Sequence, residues 1–437
     1  MKNKIGDFTP NDPLKKILID TTFLYDQYSR RGIGRTGREI IVRLIPMLVE
    51  ANYEVHIVGF ETLENNLIKL EFSQFAMEEI APKLKFHTFG KPVLSGVRNI
   101  QRWSNTFKPI IEEVKPEIFF AAHFERGLPS ANIFKKYLKS HPKTAVICYD
   151  VIPLKTNKFT NKGPLKNFIK KVFYKILWTG IKNADLIFTI SNFSKREILT
   201  IPDIDEQKIK VVHLGISADF YKSRIEADYD NELIDQVKEF YDIKDKEYFI
   251  YDSGIESNKG IFELLHSFAE LQKLNDLRIP KYLLLTGADF HRGIGQKIRA
   301  KNSAASNVLN QAKKLGILEN IITGDKTSER DLRILLLNAK FYLNFSRYEG
   351  FGLGIAQAFA AEVPVIASNL SSYPEIAQEA ALLVDLNDIP EIVTSVQKFI
   401  NNDSLIRQNI EKARESVKVY NWDVAAEKYF EELDKLI

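Results

Sequence analysis

The chain has 437 residues, 45% apolar and 27% charged, which is too long for one ordinary core and points to two globular, soluble domains. No apolar run reaches the roughly 18 residues of a membrane helix, and the start MKNKIGDFTPNDPLKK lacks a secretory apolar stretch. The single cysteine, Cys148, excludes an internal disulfide and a thiolate zinc site, so a cytoplasmic protein is expected.

In chain order, the short apolar runs KILID (16–20), EVHIVGF (54–60), EIFFAAH (117–123), TAVICYD (144–150), DLIFTIS (185–191) and KVVHLG (210–215) alternate with helix-like segments. That is the pattern of βαβ units and parallel sheets. RRGIGRTGRE (30–39) follows the first run, and Gly32, Gly34 and Gly37 fit the spacing G-x-G-x-x-G. A dinucleotide fingerprint needs its first glycine tight against the strand end, whereas TTFLYDQYSR intervenes here. The stretch reads instead as a flexible basic loop over a cleft, with Arg35 a candidate anion contact. PLKNFIKKVFYKILWTGIK (164–182) interleaves lysines with Phe168, Val172, Phe173, Leu177 and Trp178. It suits either an anionic membrane surface or a sheet, with its lysines in solvent.

Residues 217–247 are charge-rich and read as a linker with a helix. The alternation then restarts with YFIYDSG (248–254), KYLLLTG (281–287), NIITGD (320–325), FYLNFS (341–346), PVIAS (364–368) and ALLVD (381–385), and WDVAAEKYFEELDKL (422–436) closes the chain as a helix. The expected architecture is α/β, two doubly wound parallel sheets facing each other: domain 1–216, linker 217–245, domain 246–420 and closing helix 421–437. The net charge of +4 hides an asymmetry, with 32 Lys and Arg against 19 Asp and Glu in residues 1–200 and 29 against 38 in the rest. Either the first half meets something anionic or its surface is merely unevenly charged.

Ligands of open parallel sheets bind beyond the carboxyl ends of strands. SRYEGFGLGIAQAF follows such an end: Glu349, then Gly350, Gly352 and Gly354, then a helix starting near Leu353 whose amides form an anion site. A carboxylate there would repel phosphate, so Glu349 suits hydroxyls, as in a sugar phosphate or nucleotide sugar. Gln357 could face the same ligand. SGIESNKGIFELL (253–265) is a second strand-exit turn, with Lys259 placed for an anion and Ser253 and Gly254 leaving room. The pairs Asp203/Asp205 and Asp228/Asp230 have metal-like spacing but fall in turns or linker, so no metal is expected, and no nucleic-acid module is apparent.

These stretches resemble the retaining glycosyltransferases of family 4, whose GT-B fold sets two Rossmann-like domains around a cleft. SRYEGFGLGIAQAF with VPVIASNLSSYPEIAQEAALLVD is similar to the family's donor signature, and ADLIFTISNFSKREI (184–198), VVHLGI (211–216), IESNKGIFELLHSF (255–268) and GIGR (32–35) follow the family's order. HFERGLP (123–129) and YDVIPL (149–154) resemble loops of polysaccharide-assembling members. The resemblance implies that Glu349 binds the donor sugar's hydroxyls and that the amides of Phe351, Gly352 and Leu353, next to Gly350, hold sugar and diphosphate. It gives Lys259 the leaving diphosphate, with Ser253, Gly254 and Asn258 in its turn and Gly32, Gly34 and Arg35 above it, and it brings Tyr149 and Asp150 to the anomeric carbon and acceptor.

The chain departs from the pattern in four places. Gln357 stands where a second Glu binds ribose, Asn258 where Arg is usual, Tyr149 where His is common and Glu362 where Gly is common. The missing cation leaves Arg35 or Arg347 as substitutes. The resemblance implies transfer of a hexose from a nucleotide-diphosphate sugar, GDP-mannose first, to a saccharide acceptor, with no cofactor or metal expected, and the basic first half with the 164–182 helix suggests a lipid-diphosphate-linked acceptor at the inner membrane face. Gln357 and Asn258 raise the alternative of a non-catalytic partner subunit with the same fold.

Overall fold

The computed structural model describes residues 14–21, 32–60, 80–89, 108–122, 142–152, 181–286, 290–291, 299–324 and 327–437. The chain divides into two compact units, Met1–Leu214 with Trp422–Ile437, and Gly215–Asn421. HFERGLP, the last two residues of YDVIPL and residues 164–180 of the basic helix lie outside the described residues.

The first unit is built on a seven-stranded parallel sheet: β1 (Lys15–Asp20), β2 (Tyr53–Phe60), β3 (Lys85–Phe89), β4 (Ile118–Ala121), β5 (Lys143–Ile147), β6 (Leu186–Thr189) and β7 (Ile209–Val211). They lie in the order β3-β2-β1-β4-β5-β6-β7. A strand covered on both faces has no place for alternating polar residues, which is why Ile17, Leu18 and Ile19 of β1 are all buried. Ile17 pairs with Val55 on one side and Ile118 on the other. β3, KFHTF, carries no apolar run and escapes sequence reading, because an edge strand has only one neighbour to satisfy.

The helix Gly32–Glu50 follows β1 and packs on the chain's last helix, Trp422–Asp434. Arg43 Nε donates to Asp423 Oδ1 at 2.8 Å, and the Tyr53 hydroxyl and Lys15 Nζ both reach Asp434 Oδ1, at 2.6 and 2.9 Å. The Tyr429 ring lies 4.5 Å from Phe188 and 6.3 Å from Phe120. Its buried hydroxyl has no hydrogen-bond partner among the described residues. Tyr429→Ala is therefore expected to destabilise this unit by about 3–5 kcal/mol. Tyr429→Phe removes only an unsatisfied hydroxyl and should be neutral or stabilising in the same denaturant titration.

The second unit contains a six-stranded parallel sheet, β8 (Tyr248–Asp252), β9 (Tyr282–Thr286), β12 (Ile321–Thr323), β13 (Phe341–Asn344), β14 (Val365–Ser368) and β15 (Ala381–Val384), in the order β12-β9-β8-β13-β14-β15. A two-stranded antiparallel ribbon, β10 (Phe290–His291) with β11 (Arg299–Ala300), is separate from it. Phe249, Leu264, Phe268, Leu283, Phe341 and Phe399 belong to the core on one side of the sheet.

Residues 217–245, expected to be a linker, form helices Lys222–Asp228 and Asn231–Phe240 within the second unit. Phe220, Ile225, Val237 and Tyr241 are buried there. Arg333, on helix Glu329–Leu337, fixes the segment through Asp219 at 2.9 Å, the Tyr229 hydroxyl at 3.3 Å and the Phe220 ring at 5.2 Å. The charge density that suggested a linker is the exposed side of these helices.

Candidate functional site

The strand order of the second unit reverses between β8 and β13: β9 and β12 lie on one side, β14 and β15 on the other. At such a switch point the two strand-exit loops diverge and leave a crevice for ligand. The turn Ser257–Lys259 follows β8 and the loop 346–352 follows β13. The two loops are joined at several points. Lys259 Nζ forms an ion pair with Glu349 Oε1. Asn258 Nδ2 donates to the Tyr348 carbonyl at 3.1 Å, and the Arg347 amide donates to the Asn258 carbonyl at 2.7 Å.

Both helices that open at this crevice are capped by glycine and by no side chain, Gly260 before Ile261–Lys273 and Gly352 before Leu353–Ala360. Elsewhere in the unit Asp230, Asn302, Ser328, Asp388 and Asn402 cap their helices with side-chain oxygens, while the short helices Lys222–Asp228 and Tyr373–Ala377 have no side-chain cap. Such caps satisfy the first-turn amides within the fold. Their replacement by glycine at these two helices suits an external acceptor such as a phosphate. Gly260 has φ +63, and a Cβ there would stand 1.9 Å from the Phe345 carbonyl oxygen. Gly352, at φ +106, lies against the Tyr373 ring. Both positions need glycine.

Serines hold the Glu349 loop. Ser346 Oγ donates to Glu349 Oε1 at 2.8 Å, and the Glu349 amide donates to Ser371 Oγ at 3.1 Å. Ser372 Oγ lies 3.0 Å from the Glu349 carbonyl and 2.7 Å from that of Phe351. Tyr342 and Tyr373 lie beneath, their hydroxyls pushed well above the ordinary range by burial. The carboxylate is thus fixed, with one oxygen held by Lys259 and Ser346. The site offers an acceptor for hydroxyl groups beside an ammonium and two helix N-termini suited to anions.

A family model described as "Glycosyl transferases group 1" matches residues 234–416, and one described as "Glycosyltransferase Family 4" matches residues 39–220. Serotype-specific mannosyltransferase WbdA of Escherichia coli is 23% identical over 431 residues, covering 96% of this chain and 48% of that protein. O-antigen chain mannosyltransferase B of Escherichia coli is 29% identical over 250 residues, 57% of this chain and 60% of that protein. The chain thus spans about half the length of the first and three fifths of the second. Anabaena Alr3699/HepE in complex with UDP-glucose has a TM-score of 0.67 at 12% identity, covering 96% of this chain and 99% of that one, a likeness of fold. The chain has the GT-B fold and resembles bacterial polysaccharide mannosyltransferases.

In this GT-B chain Ser253, Gly254, Asn258, Lys259, Glu349, Gly350, Phe351 and Gly352 lie on the two loops at the switch point of the second unit, and Leu353 opens the helix after the second loop. Asn258 is buried, its amide nitrogen spent on Tyr348, so it clips the loops together and supplies no cation. The Arg347 guanidinium is held by Glu263 at 2.6 Å and reaches Asn387 at 3.3 Å. Gln357 is the fifth residue of helix Leu353–Ala360 and is buried. Glu362 takes the glycine-like φ of +60, and Arg414 grips its carboxylate through two hydrogen bonds of 2.8 and 2.6 Å.

One expectation for the first unit changes. Gly32, Gly34 and Arg35 form the opening turn of the 19-residue helix Gly32–Glu50, not a flexible loop. The Tyr149 hydroxyl donates to the Ala122 carbonyl at 2.9 Å, and burial pushes it well up, so the ring packs inside its own unit. Asp150 Oδ1 accepts from the Ile152 amide at 2.8 Å, an Asx turn. Three members of the acidic pairs have structural roles. Asp205 caps Gln207 and Asp230 caps Leu233, while Asp203 pairs with Lys182. Among the described residues no group of three His, Cys, Asp or Glu side chains could hold a metal.

Sequence reading passed over Ser346, Ser371, Ser372 and Asp252. The serines had a signal: SNLSSY follows PVIAS, a third strand exit on the same end of the sheet. Asp252, the last residue of β8, was hidden within an apolar run, and it accepts a hydrogen bond from Thr286 Oγ1 at 2.6 Å.

Proposed function

We propose that the chain is a hexosyltransferase in surface-polysaccharide assembly, that its second unit binds a nucleotide-diphosphate sugar, and that the hexose passes to a saccharide or lipid-linked saccharide acceptor with retention of configuration. The observation that carries this reading is the Lys259–Glu349 pair between two glycine-capped helix N-termini at the switch point. The mannosyltransferase names of the relatives and the UDP-glucose held by the structural neighbour support the donor class, and GDP-mannose is the first choice.

Donor binding exchanges partners within the pair. The hexose hydroxyls donate to Glu349 in place of Lys259, and the ammonium turns to the diphosphate. As the glycosidic bond breaks, the sugar becomes oxocarbenium-like and negative charge grows on the leaving phosphate, where Lys259 and the helix amides oppose it. The leaving phosphate takes the acceptor's proton, so the reading needs neither a dedicated base nor a metal.

The test is transfer of label from a panel of nucleotide-diphosphate hexoses to mannose-containing oligosaccharides, with the product's anomeric configuration read by NMR. An α-linked product from an α-linked donor is expected. An inverted product would overturn retention, and no consumption of any donor would overturn the enzyme. Tight donor binding without turnover toward any acceptor would favour a non-catalytic partner, the reading that the uncharged Asn258 and Gln357 support. Association with an anionic membrane through 164–182 remains part of the proposal and is tested by vesicle flotation at low salt.

A further inference from the structure

The loop that carries Glu349 is held by a third strand-exit loop that the transfer reaction leaves without a role. β14 pairs with β13, so residues 369–372 leave the sheet beside residues 346–352. Ser371 Oγ accepts from the Glu349 amide at 3.1 Å. The next residue, the fully buried Ser372, places its Oγ 3.0 Å from the Glu349 carbonyl. Both backbone polar groups of Glu349 are thus taken by two consecutive serines. Its side chain is held separately, by Ser346 and Lys259.

Ser371 makes its contact from a backbone that serine avoids. Its φ is +56, and among residues 253–260, 346–352 and 369–372 only Gly260 and Gly352 share the positive sign. In that left-handed region a Cβ crowds the following carbonyl, and glycine enters it without the strain. A glycine at 371 would therefore suit the turn, but it would offer the Glu349 amide no side-chain acceptor. A strained residue in direct contact with a ligand-reading group marks a place where backbone comfort gives way to function. We propose that Ser371 is a positioning residue of the donor site: its hydroxyl, presented by the left-handed turn, fixes the backbone of Glu349 so that the carboxylate meets the hexose. Ser371 acts through Glu349 and not on the sugar. The proposal rests on the assignment of Glu349 to the hexose.

Strain and hydroxyl are separable by substitution. Ser371→Ala keeps the strain and removes the acceptor, whereas Ser371→Gly removes both. Were the serine a stabilising residue alone, function would follow stability, and the glycine variant would stand nearer the wild type than the alanine variant. For a positioning residue the hydroxyl decides, so the two variants lose function alike although the glycine variant is the more stable.

The experiment compares the wild-type chain, Ser371→Gly and Ser371→Ala by thermal melting and by calorimetric titration with GDP-mannose and UDP-glucose, each beside its own nucleoside diphosphate. Ser371→Gly is expected to melt above Ser371→Ala. Both variants should lose roughly two- to tenfold in affinity for the nucleotide sugar, the size of one neutral hydrogen bond, and bind the nucleoside diphosphate as the wild type does. Hexose transfer should fall further in both, by up to about 10²-fold, since a misplacement of about 1 Å costs that much. A Ser371→Gly chain that binds the nucleotide sugar and transfers hexose like the wild type would overturn the role of Ser371. Equal losses for nucleotide sugar and nucleoside diphosphate would overturn it too, and either result leaves the donor site standing. Failure of the wild type to bind any nucleotide sugar would overturn the donor site and this role together.

Discussion

Lys259→Ala is expected to lower hexose transfer by roughly 10²–10³-fold, or about 2.7–4 kcal/mol in the barrier, the usual effect of removing one charge-stabilising donor from a transition state. The loss should fall on turnover more than on donor affinity, because the charge on the leaving phosphate is largest after the glycosidic bond has begun to break. The substitution also frees Glu349 from its ion pair while Ser346 still holds Oε1, so the carboxylate remains placed for the hexose. Lys259→Arg keeps the charge and should recover part of the rate. An Ala variant that melts like the wild type and turns over at the wild-type rate would remove Lys259 from the chemistry.

The second large effect comes from the backbone. Gly260→Ala must hold a left-handed φ of +63 and drive a Cβ into the Phe345 carbonyl, 1.9 Å away. The conformation alone costs about 1–2 kcal/mol, and overpacking against backbone that cannot rotate away adds about 1–3 kcal/mol. A loss of about 2–5 kcal/mol is expected, read as a fall in denaturation midpoint with an unchanged m-value. Gly316 is the internal control: its φ is +75, but a Cβ there meets nothing within 4 Å, so Gly316→Ala should show the conformational cost alone. Equal destabilisation by the two would mean that the Phe345 contact relaxes away. Because Gly260 separates Lys259 from helix Ile261–Lys273, the surviving fraction should also be less active than the wild type.

Buried parallel strands are readable from sequence because they admit only apolar residues. KILID, YFIYD and FYLNF fall on β1, β8 and β13, and the β8–β13 switch point gathers the two turns chosen for their glycines. Legibility ended where one residue type serves several purposes. RGIGRTGRE looks like a loop, yet its glycines begin a helix whose later turns carry the apolar face. Residues 217–245 look like a solvated linker because their few apolar side chains, Phe220 and Tyr241 among them, find partners about a hundred residues away on helix Glu329–Leu337 and at Gly324. Tyr149 looked available because a loop position does not reveal that its hydroxyl is taken by Ala122. Asp252 sat at the end of an apolar run, and only the pairing of β8 with β9 brings Thr286 to it.

Glu349 is the group proposed to read the hexose. The most direct test is calorimetric titration of the wild type and Glu349→Gln with a nucleotide-diphosphate hexose and with the matching nucleoside diphosphate. The wild type is expected to bind the sugar nucleotide through both parts. Glu349→Gln should lose at least tenfold in affinity for it, equivalent to a charge-assisted hydrogen bond of about 1.5–3 kcal/mol, while the nucleoside diphosphate binds as before or more tightly. Equal losses for the two ligands, or no loss for either, would contradict the assignment of Glu349 to the sugar.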